Sequence, residues 1–191
     1  MSTMAAGPVV MTTEELLALP EDGMERELIR GQLKEREMSR RGIRHTWSGA
    51  NITTLLRNWV RSQPAPHGRV LVGEAGFRLA RNPDTTVGID IAYISAPLAA
   101  SVTPDTFLID GVPVLAVEIL SPSDRQQDIT DKVAVYLALG VPLVWVVETV
   151  FQTVTVYRPD GPPEMFNLTH QLDGGPHLPG FRADVAEVFA D

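Results

Sequence analysis

The run Pro113-Val114-Leu115-Ala116-Val117-Glu118-Ile119-Leu120, with the chain that follows it to Val147, decides the fold. A nearly continuous apolar stretch of this length is the pattern of a central strand covered on both faces. Ser121-Pro122-Ser123-Asp124 supplies turn and capping chemistry. Asp128 to Leu139 then reads as a helix, with Val133, Tyr136 and Leu137 turned inward and Gly140 as its C-terminal cap. Leu143 to Val147 is a second buried strand. Strand, helix, strand over 113–147 has the length of a crossover unit, and a crossover implies parallel pairing.

The segments on either side complete an α/β domain. Thr12 to Pro20 reads as a short helix with a threonine cap, acids in its first turn and a proline stop. Glu27 to Glu35 forms two short runs about Gly31, a hairpin. Ile52, Leu55, Leu56, Trp59 and Val60 recur at helical spacing within Arg44 to Ser62. Arg69 to Val72, Glu74 to Leu79 and Ile89 to Ile94 are strand-like, and residues 96–111 read as a loop with a short helical piece. Thr153 to Tyr157 and Glu164 to Leu168 suggest a hairpin, and Ala183 to Phe189 a final helix. The expectation is a central mixed β-sheet flanked by α-helices, one domain over residues 11–191, with residues 1–10 loosely ordered.

Composition narrows the function classes. There are no cysteines, which excludes disulfides and thiolate metal sites and accords with a reducing cytoplasm. No stretch reaches the roughly 18 apolar residues of a membrane span, and Met1 to Val10 lacks signal-peptide character. A cytoplasmic location is expected. The net charge of −8 by itself opposes nucleic-acid binding, but its distribution is uneven. Residues 26–81 hold twelve of the sixteen basic residues against four acids, a local excess of +8. Such a segment could face phosphates, or could be arginines spread over several solvated faces.

Two acids stand out because they interrupt apolar strands. Glu118 lies between Val117 and Ile119, and Asp90 between Ile89 and Ile91. A buried carboxylate costs several kcal/mol unless it is paired, hydrogen-bonded or bound to a cation. One resolution is a salt bridge to a core-facing Arg or Lys. The other is a shared hard divalent ion, which prefers oxygen ligands. On the helix, Lys132 could reach the strand end, or pair with Asp128 four residues earlier.

The block Val117-Glu118-Ile119-Leu120-Ser121-Pro122-Ser123, followed by Asp128, Lys132, Tyr136, Gly140-Val141 and Trp145, resembles the Uma2 family, bacterial proteins assigned as nucleases within the PD-(D/E)xK superfamily. Met11-Thr12-Thr13-Glu14-Glu15 through Pro20, Glu27-Leu28-Ile29-Arg30-Gly31, His45 and Glu74 resemble its earlier landmarks in order. The similarity covers about residues 11–150, more loosely afterwards. It implies a restriction-endonuclease-like fold. Two positions depart from the superfamily pattern: Ile89 stands where a proline precedes the aspartate, and Leu120 where a lysine follows the glutamate. The resemblance implies that Lys132 takes over the missing lysine's role.

The resulting expectation is a metal-dependent nuclease, an endonuclease-like hydrolase of phosphodiesters. Asp90, Glu118 and the Ile119 backbone carbonyl would hold Mg²⁺ or Mn²⁺, with Lys132 as the catalytic cation. Glu74, Glu27, His45 and Asp128 are candidate accessory residues, although a lone histidine near a helix start also suits a cap or a core hydrogen bond. Nucleic acid is the expected partner, DNA favoured over RNA, and a homodimer is compatible with two-strand cutting. Two other readings stand beside it. One is a nuclease-fold protein that binds nucleic acid or protein without cutting. The other is a glycosidase using Asp90 and Glu118 as an acid/base pair, which the 6% aromatic content disfavours.

Overall fold

The fold comes from a computed structural model describing residues 10–38, 40–121 and 124–191. The expectation for the first ten residues lies almost wholly outside that range. So do Pro122 and Ser123 of the turn after the central strand. Helix α1 (Thr13–Leu17) begins with a capping box: Glu15 N–H donates to the Thr12 side chain, and the Glu15 carboxylate accepts the Thr12 N–H. The hairpin follows as β1 (Met24–Ile29) and β2 (Gln32–Glu37), longer at both ends than the sequence suggested. Helix α2 (Ile43–Ser62) buries Ile52, Leu56, Trp59 and Val60.

Next come β3 (Arg69–Ala80) and β4 (Thr85–Ile94), then helix α3 (Ala96–Ala100) and a two-residue strand, β5 (Ile109–Asp110). The two strand-like segments read at 69–72 and 74–79 are one strand with a bulge. Val72 pairs with Ile91 and Ala75 with Ile89, so Gly73 and Glu74 together oppose Asp90. The remaining elements are β6 (Leu115–Leu120), α4 (Gln126–Ala138), β7 (Leu143–Glu148), β8 (Thr153–Tyr157), β9 (Glu164–Phe166), β10 (Gln171–Asp173), β11 (Arg182–Asp184) and α5 (Val185–Val188). The tail expected as helix from 183 begins as strand: Ala183 pairs with Leu172 before α5 starts.

The main sheet runs β2-β1-β4-β6-β7-β8-β9, with β3 also on β4 and β5 on β3. It is mixed but mostly antiparallel; β6 with β7 and β3 with β5 are its parallel pairs. The parallel β6–α4–β7 unit is the crossover read from the sequence. Side chains alternate along β6 as the pleat requires. Leu115, Val117 and Ile119 join the core under α2 and α5. Ala116 and Leu120 join the core under α4, which also holds Ile129, Val133 and Tyr136.

Linear clustering of basic residues does not become one free basic face. Arg26 pairs with Asp22 and Glu35, Arg36 with Glu25 and Asp124, Arg41 with Glu25 and Glu74, and Arg78 with Glu14 and Asp110. Much of the excess charge is neutralised locally by acids from neighbouring elements.

Candidate active site

The site lies where the sheet forks. Strand β3 covers one edge of β4 along its whole length. The opposite edge is shared by β1, which pairs only at Leu28–Thr86, and β6, which pairs from Ile91–Val117 to Tyr93–Leu115. Between those contacts β1 and β6 diverge, leaving residues 87–90 of β4 without a ladder partner on that side. The next step of the β4–β6 register would set Asp90 opposite Glu118.

Backbone groups stranded in the fork must find side chains, because an unpaired buried amide is costly. Asp90 Oδ2 accepts the Ile119 N–H at 2.8 Å, replacing the next rung of the ladder. Gly88 N–H donates to Glu27 Oε1 at 3.1 Å, and Gly88 carbonyl accepts from Lys132 Nζ at 3.0 Å. A Cβ at residue 88 would stand 2.8 Å from Glu74 Oε2, so a larger residue there would push the Glu74 carboxylate aside. Glu74 itself holds a left-handed backbone (φ 57°) at the bulge, a strained state for a non-glycine residue that often marks function.

Lys132 reaches inward from α4 and binds three strands at once. Besides the Gly88 carbonyl, its Nζ lies 2.9 Å from Glu27 Oε1 and 3.2 Å from Glu118 Oε1. Tyr136, one turn later on the same helix face, donates its hydroxyl to Glu118 Oε1 at 2.7 Å. The pair expected between Asp128 and Lys132 does not form: Asp128 is exposed on the wall of the cleft, while Lys132 turns to the strands. The salt-bridge reading of Glu118 is thus the one the geometry displays, with Lys132 as the partner.

Asp90 has a different environment. His45 Nε2 approaches its Oδ1 at 3.6 Å, just beyond hydrogen-bond reach, and that nitrogen is buried without a partner. Arg41 does not touch Asp90 but pairs with Glu74 beside it. The site thus gathers Glu27, Glu74, Asp90, Glu118, Lys132 and His45. Asp128 stays at its margin. Sequence reasoning read Tyr136 as an inward-packing residue and as a landmark of the family resemblance, without giving it a role at the site, and did not single out Arg41 or Gly88. Spacing offered a signal for Tyr136, four residues beyond Lys132.

The electrostatics separate the two strand acids. Burial drives Glu118 up, and Asp90 and Glu27 reinforce it; Lys132 and Tyr136 counteract only in part, leaving Glu118 at about 8. Burial also pushes Asp90 up, but His45, the Ile119 N–H and Arg41 outweigh it and hold Asp90 below the usual carboxylate range. Burial and Asp90 raise Glu74 despite Arg41. Burial alone would favour a neutral Lys132, yet Glu118 and Glu27 more than offset it and keep the ammonium charged.

Among the described residues, no three His, Asp or Glu side chains group closely enough to ligate one ion. A cation would have to rest on two carboxylates completed by a backbone carbonyl and water. That is a donor set a hard, hydrated divalent ion accepts, so the residues fit. Asp90, Glu118 and Ile119 open onto one cleft of about 1430 Å³, which Glu27, Glu74 and Lys132 also line.

Among the described residues, no helix is long and apolar enough to cross a membrane. A comparison with curated proteins finds no match. The fold is shared with the crystal structure of a putative nuclease belonging to DUF820 from Anabaena variabilis. That structure aligns at a TM-score of 0.76 and 21% identity, over 94% of this chain and 97% of that one. The family model described as "Putative restriction endonuclease" matches residues 13–186, and the chain belongs to that family, Uma2.

Proposed function

We propose that the protein is a metal-dependent nuclease that hydrolyses phosphodiester bonds, with DNA its favoured substrate. One observation carries this reading. At a fork in the sheet, the carboxyl groups of Asp90 and Glu118 share a cleft with Lys132, whose Nζ lies 3.2 Å from Glu118 Oε1. Structural pairing alone needs neither the second acid nor the open cleft.

Mg²⁺ or Mn²⁺ held by Asp90, Glu118 and the Ile119 carbonyl would supply Lewis-acid stabilisation of the phosphate and activation of water. The chain's own residues do the rest. Asp90 stays charged at neutral pH because His45, Ile119 N–H and Arg41 favour its ionised form. Glu118 must surrender a proton to become a ligand, so ion binding tightens as pH rises. Lys132, already aimed at Glu118, offers its ammonium to the attacking water or to the charge that develops on phosphate. This supports Lys132 as the replacement for the lysine absent at position 120, where Leu120 packs into the core under α4. Glu27 keeps Lys132 in place.

The test is incubation of the purified protein with single- and double-stranded DNA and RNA, in Mg²⁺, Mn²⁺ or EDTA. Cleavage should require the cation, and Glu118→Ala, Asp90→Ala and Lys132→Ala should each lower it by at least about 100-fold. Gln127→Ala, on the exposed face of α4, should not. Binding without cleavage under every cation would instead favour a non-cutting nuclease-fold protein. Cleavage that survives EDTA would overturn the metal.

A further inference from the structure

Phe107 is 81% exposed, the most exposed large apolar side chain among the described residues, and it lines the active-site cleft. Its position is set by the fold. Thr103 N–H and hydroxyl bond to the Thr106 side chain, and Thr106 N–H donates to the Thr103 carbonyl, closing a tight turn just before it. Immediately after it, Ile109 is buried and pairs with Phe77 of β3. Between them the backbone lies against β3, where a Cβ on Gly76 would meet Leu108 Cδ1 at 3.2 Å and the Phe107 carbonyl at 3.5 Å. Gly76 pairs with Gly88, whose carbonyl receives Lys132. The backbone on both sides of Phe107 is therefore held, and its aromatic ring stands in the open one strand away from the reactive centre.

Its surroundings suit a polyanion. Arg30, Lys34 and Arg125 are exposed, line the same cleft and, among the described residues, form no ion pair. These differ from Arg26, Arg36 and Arg41, whose charges are taken up by acids. Free cations along a groove with an exposed aromatic ring are the components of single-strand recognition: charge follows the backbone, and the ring stacks on a base. A paired base in a duplex offers no open face to such a ring.

Resting on the nuclease reading for its choice of ligand, we infer that Phe107 stacks on an unpaired base next to the phosphate held in the cleft. The preferred substrate is then a single strand, or the unpaired stretch of a loop or frayed end. Because the turn and strand already fix the backbone that carries the ring, binding has only the side chain to order.

The test measures binding in EDTA, where no cleavage is required, with a single-stranded oligonucleotide carrying 2-aminopurine and with its duplex. Phe107→Ala should weaken single-strand binding about 10- to 100-fold and leave duplex binding and Tm unchanged. Phe107→Trp should restore affinity, and its emission should be quenched by the oligonucleotide. Phe151→Ala is the control, because Phe151 is 78% exposed but lies outside the cleft. Three results overturn the inference: wild-type affinity in Phe107→Ala, an equal loss for single strand and duplex, or no oligonucleotide binding by the wild-type protein. A dimer-to-monomer change in Phe107→Ala with affinity intact would assign the ring to a protein interface and overturn it as well. Failure of the nuclease reading is separate: it shows as stacking-dependent binding with no cleavage in any cation.

Discussion

On the α2 side of the central sheet, Trp59 stands edge-on to Tyr93 at 5.0 Å and to Phe181 at 6.2 Å, and Trp145 lies 5.5 Å from Phe181. Apolar side chains from α2, β6, β7, β8 and α5 fill the rest of that layer. On the α4 side, the same strands face Ile129, Val133 and Tyr136, but Glu118 sits among them at 7% exposure with Lys132 reaching over it. Alternation along β6 sends Val117 and Ile119 to one layer and Glu118 to the other. Neighbouring residues of one strand thus serve different ends: one layer holds the sheet together, and the other carries a costly charge cluster. The first should respond to lost volume, the second to lost charge and to pH.

The widest separation between the layers is expected from Trp145→Ala. Removing a fully buried indole leaves a cavity, and such truncations cost about 3–5 kcal/mol. Denaturant unfolding should show that loss, while cleavage per folded molecule stays near the wild-type value. A loss of activity at full occupancy of the folded state would mean that the two layers are coupled.

Lys132→Met should come next, and only at high pH. The substitution keeps most of the side chain's volume but strands Glu118 beside Glu27 and Asp90. Breaking a buried pair in this way costs about 3 kcal/mol when the remaining group is charged. At pH 6 Glu118 keeps its proton, so the cost should shrink. Equal destabilisation at pH 6 and 8.5 would show that Lys132 acts by packing instead.

The wild-type protein should also carry a pH signature of its own. Glu118 titrates at about 8 in the folded chain, above the 4.5 of an ordinary glutamate. The folded state therefore holds a proton that the unfolded state has lost. Its contribution is full below about pH 4.5 and disappears as pH rises through about 8. Glu118→Gln, which cannot ionise, should flatten that pH dependence. Thermal melts of both proteins from pH 5 to 9, in EDTA, compare them directly. Parallel curves would place the protonation elsewhere.

The reach of the sequence follows the same division. The apolar layers and the crossover were legible because burial leaves a period that can be read, as in Leu115, Val117 and Ile119 or Ile52, Leu56 and Trp59. Asp90 and Glu118 were legible because charge inside such a run is anomalous, and Lys132 only through the family resemblance, since its spacing equally suited a pair with Asp128. The fork was not. It depends on β1 and β6 sharing one edge of β4, a long-range arrangement that no local pattern encodes, and Gly88 and Glu27 matter only because of it. The bulge at Gly73-Glu74 was split into two strands for a related reason: a glycine in an extended run reads as a break. The basic excess over 26–81 left two readings open, because the acids that neutralise it, such as Asp22, Glu25, Asp110 and Asp124, are mostly outside that segment.

Tyr136→Phe makes the finest test, because it removes one oxygen from the polar layer and leaves the apolar packing in place. The hydroxyl donates to Glu118 Oε1, and burial together with Glu118 holds the phenol in its neutral form throughout the neutral range. A donated hydrogen bond favours the ionised carboxylate over the acid, so its loss should move Glu118 further up. The stability cost should be about 1 kcal/mol, larger at pH 9 than at pH 6. If the proposed chemistry holds, the pH at which cleavage reaches half its maximum should rise with the Glu118 pKa, while the plateau changes little. A lowered plateau with an unshifted midpoint would place the hydroxyl in contact with the substrate, and the α4 layer would then contain one more catalytic group than the geometry assigns to it.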